Sequence, residues 1–290
     1  MTTPPLVWFV TGSSRGFGRA IAQAALQVGD SVVATARRPE QLQNLVDAHG
    51  DRISPLQLDV TRSDDVALAL TAGRERYGRI DVVVNNAGYA NIAAIESVDD
   101  ADFRAQFETN FWGVYNVSKA AIPILREQSG GLIIQFSSMG GRVGGTPGLA
   151  SYQAAKFAID GFSRVLLAEA EPFGVKVMLV EPAGFATDWA GQSMRAYDYP
   201  EIYDSTVGFM CNSLRYSEAM TAGDPQRAAE ILVSVAQRNH VPFHLPLGVI
   251  AAEASIAMDE QLLAQDRAWA AVSRSADFAE SYPVQLPPDA

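Results

Sequence analysis

One cysteine, Cys211, is all the thiol chemistry this chain of 290 residues possesses. It cannot close an intrachain disulfide and has no second sulfur with which to build a zinc site. Histidine is nearly as scarce: His49, His240 and His244 are scattered along the chain, a distribution of surface or packed side chains rather than of a metal cluster. No metal is expected. Positive charge is also in short supply, because 22 Lys and Arg against 33 Asp and Glu leave a net charge of −11. Such a surface repels nucleic-acid phosphates over most of its area, so nucleic acid is excluded as a partner and any phosphate site has to be local. No apolar run reaches the ~18 residues of a membrane helix. The opening residues, Met1-Thr2-Thr3-Pro4-Pro5-Leu6, carry neither a basic start nor a small-residue cleavage site, and the expectation is a cytoplasmic protein without a membrane segment.

What the chain does contain is a series of short apolar runs separated by helical patterns, the signature of a doubly wound α/β sheet. Apolar runs at residues 6–11, 31–36, 53–58, 81–85, 131–136 and 175–180 read as strands covered on both faces. A seventh, His244-Leu245-Pro246, reads as a short edge strand because proline is tolerated there. Helices are predicted over residues 63–77, over 102–126 with interruptions near Gly113 and Pro123, over 151–171 and from Asp224-Pro225 onward. With neither repeat nor linker to divide it, residues 1–290 form one domain of Rossmann type, three layers α/β/α. Residues 188–223 are a lid over the site and 274–290 a C-terminal arm.

The first run leads into Thr11-Gly12-Ser13-Ser14-Arg15-Gly16-Phe17-Gly18 and then into a helix-forming stretch. Strand, glycine turn and helix together make a phosphate site. Gly12 permits the turn, Gly16 lets backbone approach a pyrophosphate, and Gly18 lets the helix pack on the strand. The helix start adds free N–H groups and a positive dipole end. The second strand ends in Arg37-Arg38, where an acidic residue would select a free ribose 2′-hydroxyl and an arginine a 2′-phosphate. With Arg15 in the turn, this predicts NADP(H) in preference to NAD(H), since guanidinium forks suit phosphate oxygens. Asp59, at the end of the third strand, is placed to meet the adenine amino group. Asn85-Asn86-Ala87-Gly88 ends the fourth strand facing the ligand crevice.

Ser151-Tyr152-Gln153-Ala154-Ala155-Lys156 falls at the start of a predicted helix, so Tyr152 and Lys156 share a face one turn apart. An ammonium beside a phenol lowers its pKa and makes a general acid/base of it. Asn110 sits inside a predicted helix, where Asn is unfavourable without a further role. Residues 188–223 are rich in Trp, Tyr, Phe and Met; they could line a bulky apolar substrate pocket, or pack against core or a partner subunit.

In this order and context the motifs resemble those of the short-chain dehydrogenase/reductase family, from Val7 to about Leu247. The glycine motif matches residues 11–18, Asn-Asn-Ala-Gly matches residues 85–88, and Tyr-x-x-x-Lys matches Tyr152 and Lys156. The resemblance implies a catalytic set of Asn110, Ser138, Tyr152 and Lys156. It further implies a cofactor held by Gly12, Ser14, Arg15, Gly16, Phe17 and Gly18, by Arg37 and Arg38, and by Asp59 and Val60. Asn86, Ala87, Gly88, Tyr152, Lys156, Pro182, Gly184 and Thr187 complete that set. A hydride would pass between nicotinamide and a ketone, aldehyde or secondary alcohol while Tyr152 moves the proton, Ser138 donates to the same oxygen and Lys156 holds the ribose and lowers the Tyr152 pKa. Asn110 would fix its helix and a water that links Lys156 to solvent. Two other activities fit the same motifs: a dinucleotide-sensing regulatory protein, and an epimerase or dehydratase. A homodimer or homotetramer is implied, joined through the helices carrying Asn110 and Tyr152.

Two departures from the family pattern stand out. Tyr152 lies fourteen positions after Ser138 where the family has thirteen, which places Met139 at the usual count and makes Ser137 the less favoured substitute. The family's Pro-Gly after the sixth strand is here Pro182-Ala183-Gly184.

Overall fold

The structure, a computed structural model, describes residues 4–191, 194–216 and 218–287. Seven parallel strands form one sheet: β1 (Val7–Val10), β2 (Ser31–Ala36), β3 (Ile53–Gln57), β4 (Val82–Asn85), β5 (Gly131–Phe136), β6 (Val175–Pro182) and β7 (His244–Leu247). Their order is β3-β2-β1-β4-β5-β6-β7. The expected doubly wound sheet is therefore the observed one, and each strand lies within a residue or two of its predicted place. Of the three strand prolines, Pro55 in β3 and Pro246 in β7 fall on the two edge strands, where a missing N–H costs no ladder bond, and Pro182 is the last residue of β6.

Nine α-helices are found among the described residues: α1 (Gly16–Gln27), α2 (Gln43–His49), α3 (Ser63–Tyr77), α4 (Asp100–Phe107), α5 (Gly113–Glu127), α6 (Ala150–Ala170), α7 (Phe209–Tyr216), α8 (Pro225–Ala236) and α9 (Val249–Arg274). Because strand side chains alternate between faces, Trp8 and Val10 enter the core under α1 and α8, while Phe9 enters the core under α3, α5 and α6. Both faces are thus apolar. The buried Trp8 indole keeps a partner by donating Nε1–H to Asp30 at 2.8 Å, and Asp30 also caps the entry to β1 by accepting from Leu6 N.

Two helical readings need correction. The break in the 102–126 stretch is a single π turn, Glu108–Trp112, while Pro123 lies inside α5 without ending it. The sequence reading also missed α2, α7 and α9; α9 is 26 residues long with only Ala251 and Ser255 buried. Residues 275–287 after it are irregular and mostly exposed. Residues 1–3, Gln192, Ser193 and Ser217 of the lid, and residues 288–290 of the arm lie outside the described residues. No helix among the described residues is long and apolar enough to cross a membrane.

Candidate active site

In a doubly wound sheet, ligands bind at the carboxyl ends of the strands where the order reverses, here between β1 and β4. The glycine turn sits at that point. Gly12 and Gly16 have φ of +68° and +55°, a region in which side chains other than glycine are strained. A Cβ on Gly18 would lie 2.3 Å from the Gly12 carbonyl oxygen and 2.5 Å from Asn86 Nδ2, so α1 can start here only with glycine. The first turn of α1 has no side-chain cap and no acidic residue, which leaves its N–H groups and dipole to an anion. Those features fit a pyrophosphate. The Phe17 side chain turns away, stacking on Phe136 and Phe185 with ring centroids 5.3 and 4.9 Å apart, so the backbone is what Phe17 presents to the turn.

The Asn-Asn-Ala-Gly segment splits its work. Asn86 Nδ2 donates to the carbonyls of Thr11 and Gly12 at 2.9 and 3.2 Å, and Asn86 N and Ala87 N both donate to Thr11 Oγ1. It thereby holds the glycine turn in shape. Asn85 points to the opposite face, where it forms a buried polar group with Ser118 and Gln135. Thr11 is the hub of this arrangement, and its role was not apparent from the sequence, since a threonine at a strand end carries no signature of its own.

At the other end of the crevice, Arg37 and Arg38 are exposed after β2, and Arg15 is exposed at the start of α1. Asp59 Oδ1 accepts from Thr61 N and Thr61 Oγ1 at 3.0 and 2.8 Å, and Val60 beside it is buried.

The four predicted catalytic residues come together below. Tyr152 and Lys156 are both buried on α6, with Lys156 Nζ 5.5 Å from the Tyr152 ring centroid. The Ser138 side chain lies near enough to Tyr152 to favour its phenolate, and its Oγ accepts from Gly140 N at 3.0 Å. Ser137 instead donates to the Lys156 carbonyl at 3.2 Å, which decides between the two serines. Between Ser138 and Tyr152 the loop passes through Gly144, Gly145 and Gly148, whose φ values are +70°, +73° and +83°. Asn110 is fully buried in the π turn and spends its amide on Tyr89, accepting from Tyr89 N at 3.0 Å and donating to Tyr89 O at 2.8 Å.

The electrostatics differ from the expectation. Burial pushes the Tyr152 phenol up to about 12, partly offset by the Ser138 side chain, and burial lowers Lys156 to about 8. The amine does not lower the phenol, because with Lys156 near 8 and Tyr152 near 12 it has already given up its proton at the pH where the phenol would lose its own; Nζ donates to the Phe136 carbonyl, 2.6 Å away. At neutral pH the pair therefore holds a protonated phenol beside a largely protonated amine, an arrangement that can donate a proton.

Over this site lies the segment from Phe185 to Gly223. Its ends are pinned to each other, Ala186 N to Gly223 O at 2.8 Å and Gly223 N to Gly184 O at 3.0 Å. Its middle is pinned to the segment after β4 by Ile92 N to Arg195 O at 2.7 Å and Tyr197 N to Ile92 O at 2.9 Å. Trp189 stacks 5.3 Å from Tyr152, and Tyr152, Leu149, Ile92, Val207, Cys211 and Leu214 form one apolar cluster with Met194, Tyr199 and Tyr203 packed on it. Thr187 faces the glycine turn, its Cβ 3.7 Å from where a Cβ on Gly16 would be.

Comparison with known proteins places these features. The chain is 50% identical over 268 residues to an oxidoreductase of Botryotinia fuckeliana, BOA17, covering 92% of this chain and 97% of that protein. It is 32% identical over 267 residues to the 3-ketodihydrosphingosine reductase of Bacteroides thetaiotaomicron, covering 91% and 93%. A crystal structure of a short-chain dehydrogenase from Streptomyces avermitilis superposes with a TM-score of 0.88 at 35% identity, covering 96% of this chain and all of that one. The family model for short chain dehydrogenases matches residues 6–198, the span that holds both the glycine turn and the Tyr152–Lys156 helix. By sequence, by fold and by site, this chain belongs to the short-chain dehydrogenase/reductase family of oxidoreductases, which work with a nicotinamide cofactor.

Proposed function

We propose that this protein is an NADP(H)-dependent reductase or dehydrogenase acting on a ketone, aldehyde or secondary alcohol on a bulky, largely apolar molecule. The observation that carries this reading is the buried Tyr152, with the Ser138 side chain beside its phenol and Lys156 one helical turn away. When bound, the nicotinamide supplies or takes the hydride. The chain's own part is to place a carbonyl oxygen between two hydroxyl donors and to give it a proton from Tyr152 as charge develops there. Gly140 N occupies a lone pair of Ser138 Oγ, which leaves the Ser138 proton to be directed at that oxygen. Lys156 keeps a positive charge next to the site, and Asn110 holds the backbone of Tyr89 at its rim.

Arg37, Arg38 and Arg15 support the phosphorylated dinucleotide, because no carboxylate stands at the end of β2 to accept from a free 2′-hydroxyl. The aromatic and Met-rich lid over Tyr152 supports a large apolar substrate, and the likeness to a 3-ketodihydrosphingosine reductase agrees with one. We read the protein as a cytoplasmic homodimer or homotetramer of one domain, with residues 188–223 as lid and 274–290 as arm; light scattering gives the assembly.

The test is a steady-state panel of ketones and alcohols with both cofactors. Tyr152→Phe is expected to abolish turnover while NADPH binding survives, and undiminished turnover would refute the assignment. Arg37→Asp should weaken NADPH by about 10- to 100-fold, the value of a charge-assisted phosphate contact, with little change for NADH. Equal losses for both cofactors would remove the 2′-phosphate reading.

A further inference from the structure

A group of charged side chains lies beside the catalytic helix and takes no part in the chemistry above. Glu181, at the end of β6, is fully buried. It accepts from Arg142 at 3.1 Å and from His244 Nδ1 at 2.7 Å. Arg142 also donates to Asp259 on α9 at 2.6 Å. On the far side, Arg164 pairs with Asp160 and reaches His244 Nε2 at 3.0 Å. Since a guanidinium only donates, Nε2 accepts and the ring proton sits on Nδ1, aimed at Glu181.

Donor atoms of Asp160, Glu181 and His244 all lie within 4.8 Å of one another, a spacing that would suit a cation. Two guanidinium groups already meet those atoms. The positive charge this cluster calls for is built into the chain.

What the cluster holds in place is the loop that carries Ser138. Arg142 follows Ser138 across a tight turn, Met139–Gly141, closed by Gly141 N to Ser138 O at 2.8 Å and Val143 N to Met139 O at 2.9 Å. One side of that turn is pressed on α6: a Cβ on Gly141 would lie 2.5 Å from Ser137 Oγ and 2.7 Å from Lys156 Cβ. The other side is tied down by Arg142, which reaches both β6 and α9. Beyond it the loop runs through three left-handed glycines with little stiffness of its own.

We propose that Arg142 is a positioning residue for the reaction, clasping the Ser138 turn to Glu181 and Asp259 so that the Ser138 hydroxyl stays against Tyr152. The proposal rests on the roles given above to Ser138 and Tyr152. A loop that carries a hydrogen-bond donor needs such support, because a misplacement of about 1 Å can cost about 100-fold in rate.

The test compares Arg142→Met, Arg142→Lys and the double variant Arg142→Met/Glu181→Leu. The double variant removes the buried carboxylate along with its Arg142 partner, so no unpaired carboxylate is left inside, although His244 Nδ1–H loses its acceptor. Three quantities are read: amide exchange at residues 140–143, NADPH affinity by fluorescence, and kcat and KM for reduction of benzil, 1-tetralone and 2-decanone. Arg142→Met is expected to speed exchange at residues 141–143 by tenfold or more and to lower kcat about tenfold or more, with NADPH affinity changed about twofold at most. Arg142→Lys should recover part of both. The double variant should melt above Arg142→Met while kcat stays low and exchange stays fast. The proposal is overturned if the double variant regains kcat together with stability, or if exchange at residues 141–143 in Arg142→Met matches the wild type. Should the wild-type protein reduce none of the three carbonyls, the functional reading loses support while exchange alone still decides whether Arg142 holds the turn.

Discussion

Replacing Gly18 by alanine adds a single methyl group, and the structure says where it goes. That carbon would sit 2.3 Å from the Gly12 carbonyl oxygen, 2.9 Å from the Gly12 carbonyl carbon and 2.5 Å from Asn86 Nδ2. Two of the three neighbours are backbone, and the third is an amide already donating to the Thr11 and Gly12 carbonyls. Relief to an ordinary contact of roughly 3.3 Å requires the turn or α1 to move by about 1 Å, and such overpacking costs about 1–3 kcal/mol. The better helix propensity of alanine returns at most about 1 kcal/mol. A domain of this size loses roughly 2–4 °C of melting temperature per kcal/mol, so a fall of a few degrees is expected. The moved atoms are those that would cradle a pyrophosphate, and NADPH affinity should drop about 5- to 100-fold for a cost of that order. Gly161→Ala is the control: it lies exposed on α6 with nothing within 4 Å of its added carbon, and should raise stability by up to about 1 kcal/mol. Calorimetry and fluorescence titration measure both quantities. Should Gly18→Ala bind NADPH as the wild type does and melt at the same temperature, the turn is not closed on itself in the way described.

The pH dependence has a definite sign. Burial raises Tyr152 to about 12 and lowers Lys156 to about 8, so Tyr152 keeps its proton through the whole working range, and the group that titrates first is the amine. NADPH-driven reduction is expected to fall as pH rises through about 8, where the ammonium is lost; a kcat profile flat to pH 10 would contradict this. Asn110→Ala strands the Tyr89 N–H and carbonyl that its amide satisfies, at about 1–3 kcal/mol for each group left unpaired. Thermal unfolding should drop by several degrees, and an unchanged melting temperature would show that those bonds are not made.

Much of the fold was legible because its causes are local. Apolar runs such as Val82-Val83-Val84 can be buried on both faces only in a sheet sandwiched between helices. The strand–glycine–helix succession could be read because positive φ and close backbone approach restrict positions 12, 16 and 18. Tyr152 and Lys156 share a face by helical periodicity alone. The long helix α9 was not read, because it is exposed nearly all round and shows no apolar stripe of the kind that marks a packed helix.

The sequence by itself determined where the strands lie along the chain, which glycines form the phosphate turn and which residue types meet on α6, since each follows from patterns a few residues long. Only the tertiary structure decided which of two adjacent serines addresses Tyr152, that Asn86 braces the turn from 75 residues away through Thr11, and that Arg142 reaches Glu181 and Asp259. It also reversed the expected direction of the Tyr152 shift, because proximity along a helix says which charges are near and nothing of how much water the fold removes. Burial and long-range partners exist only once the chain has closed on itself.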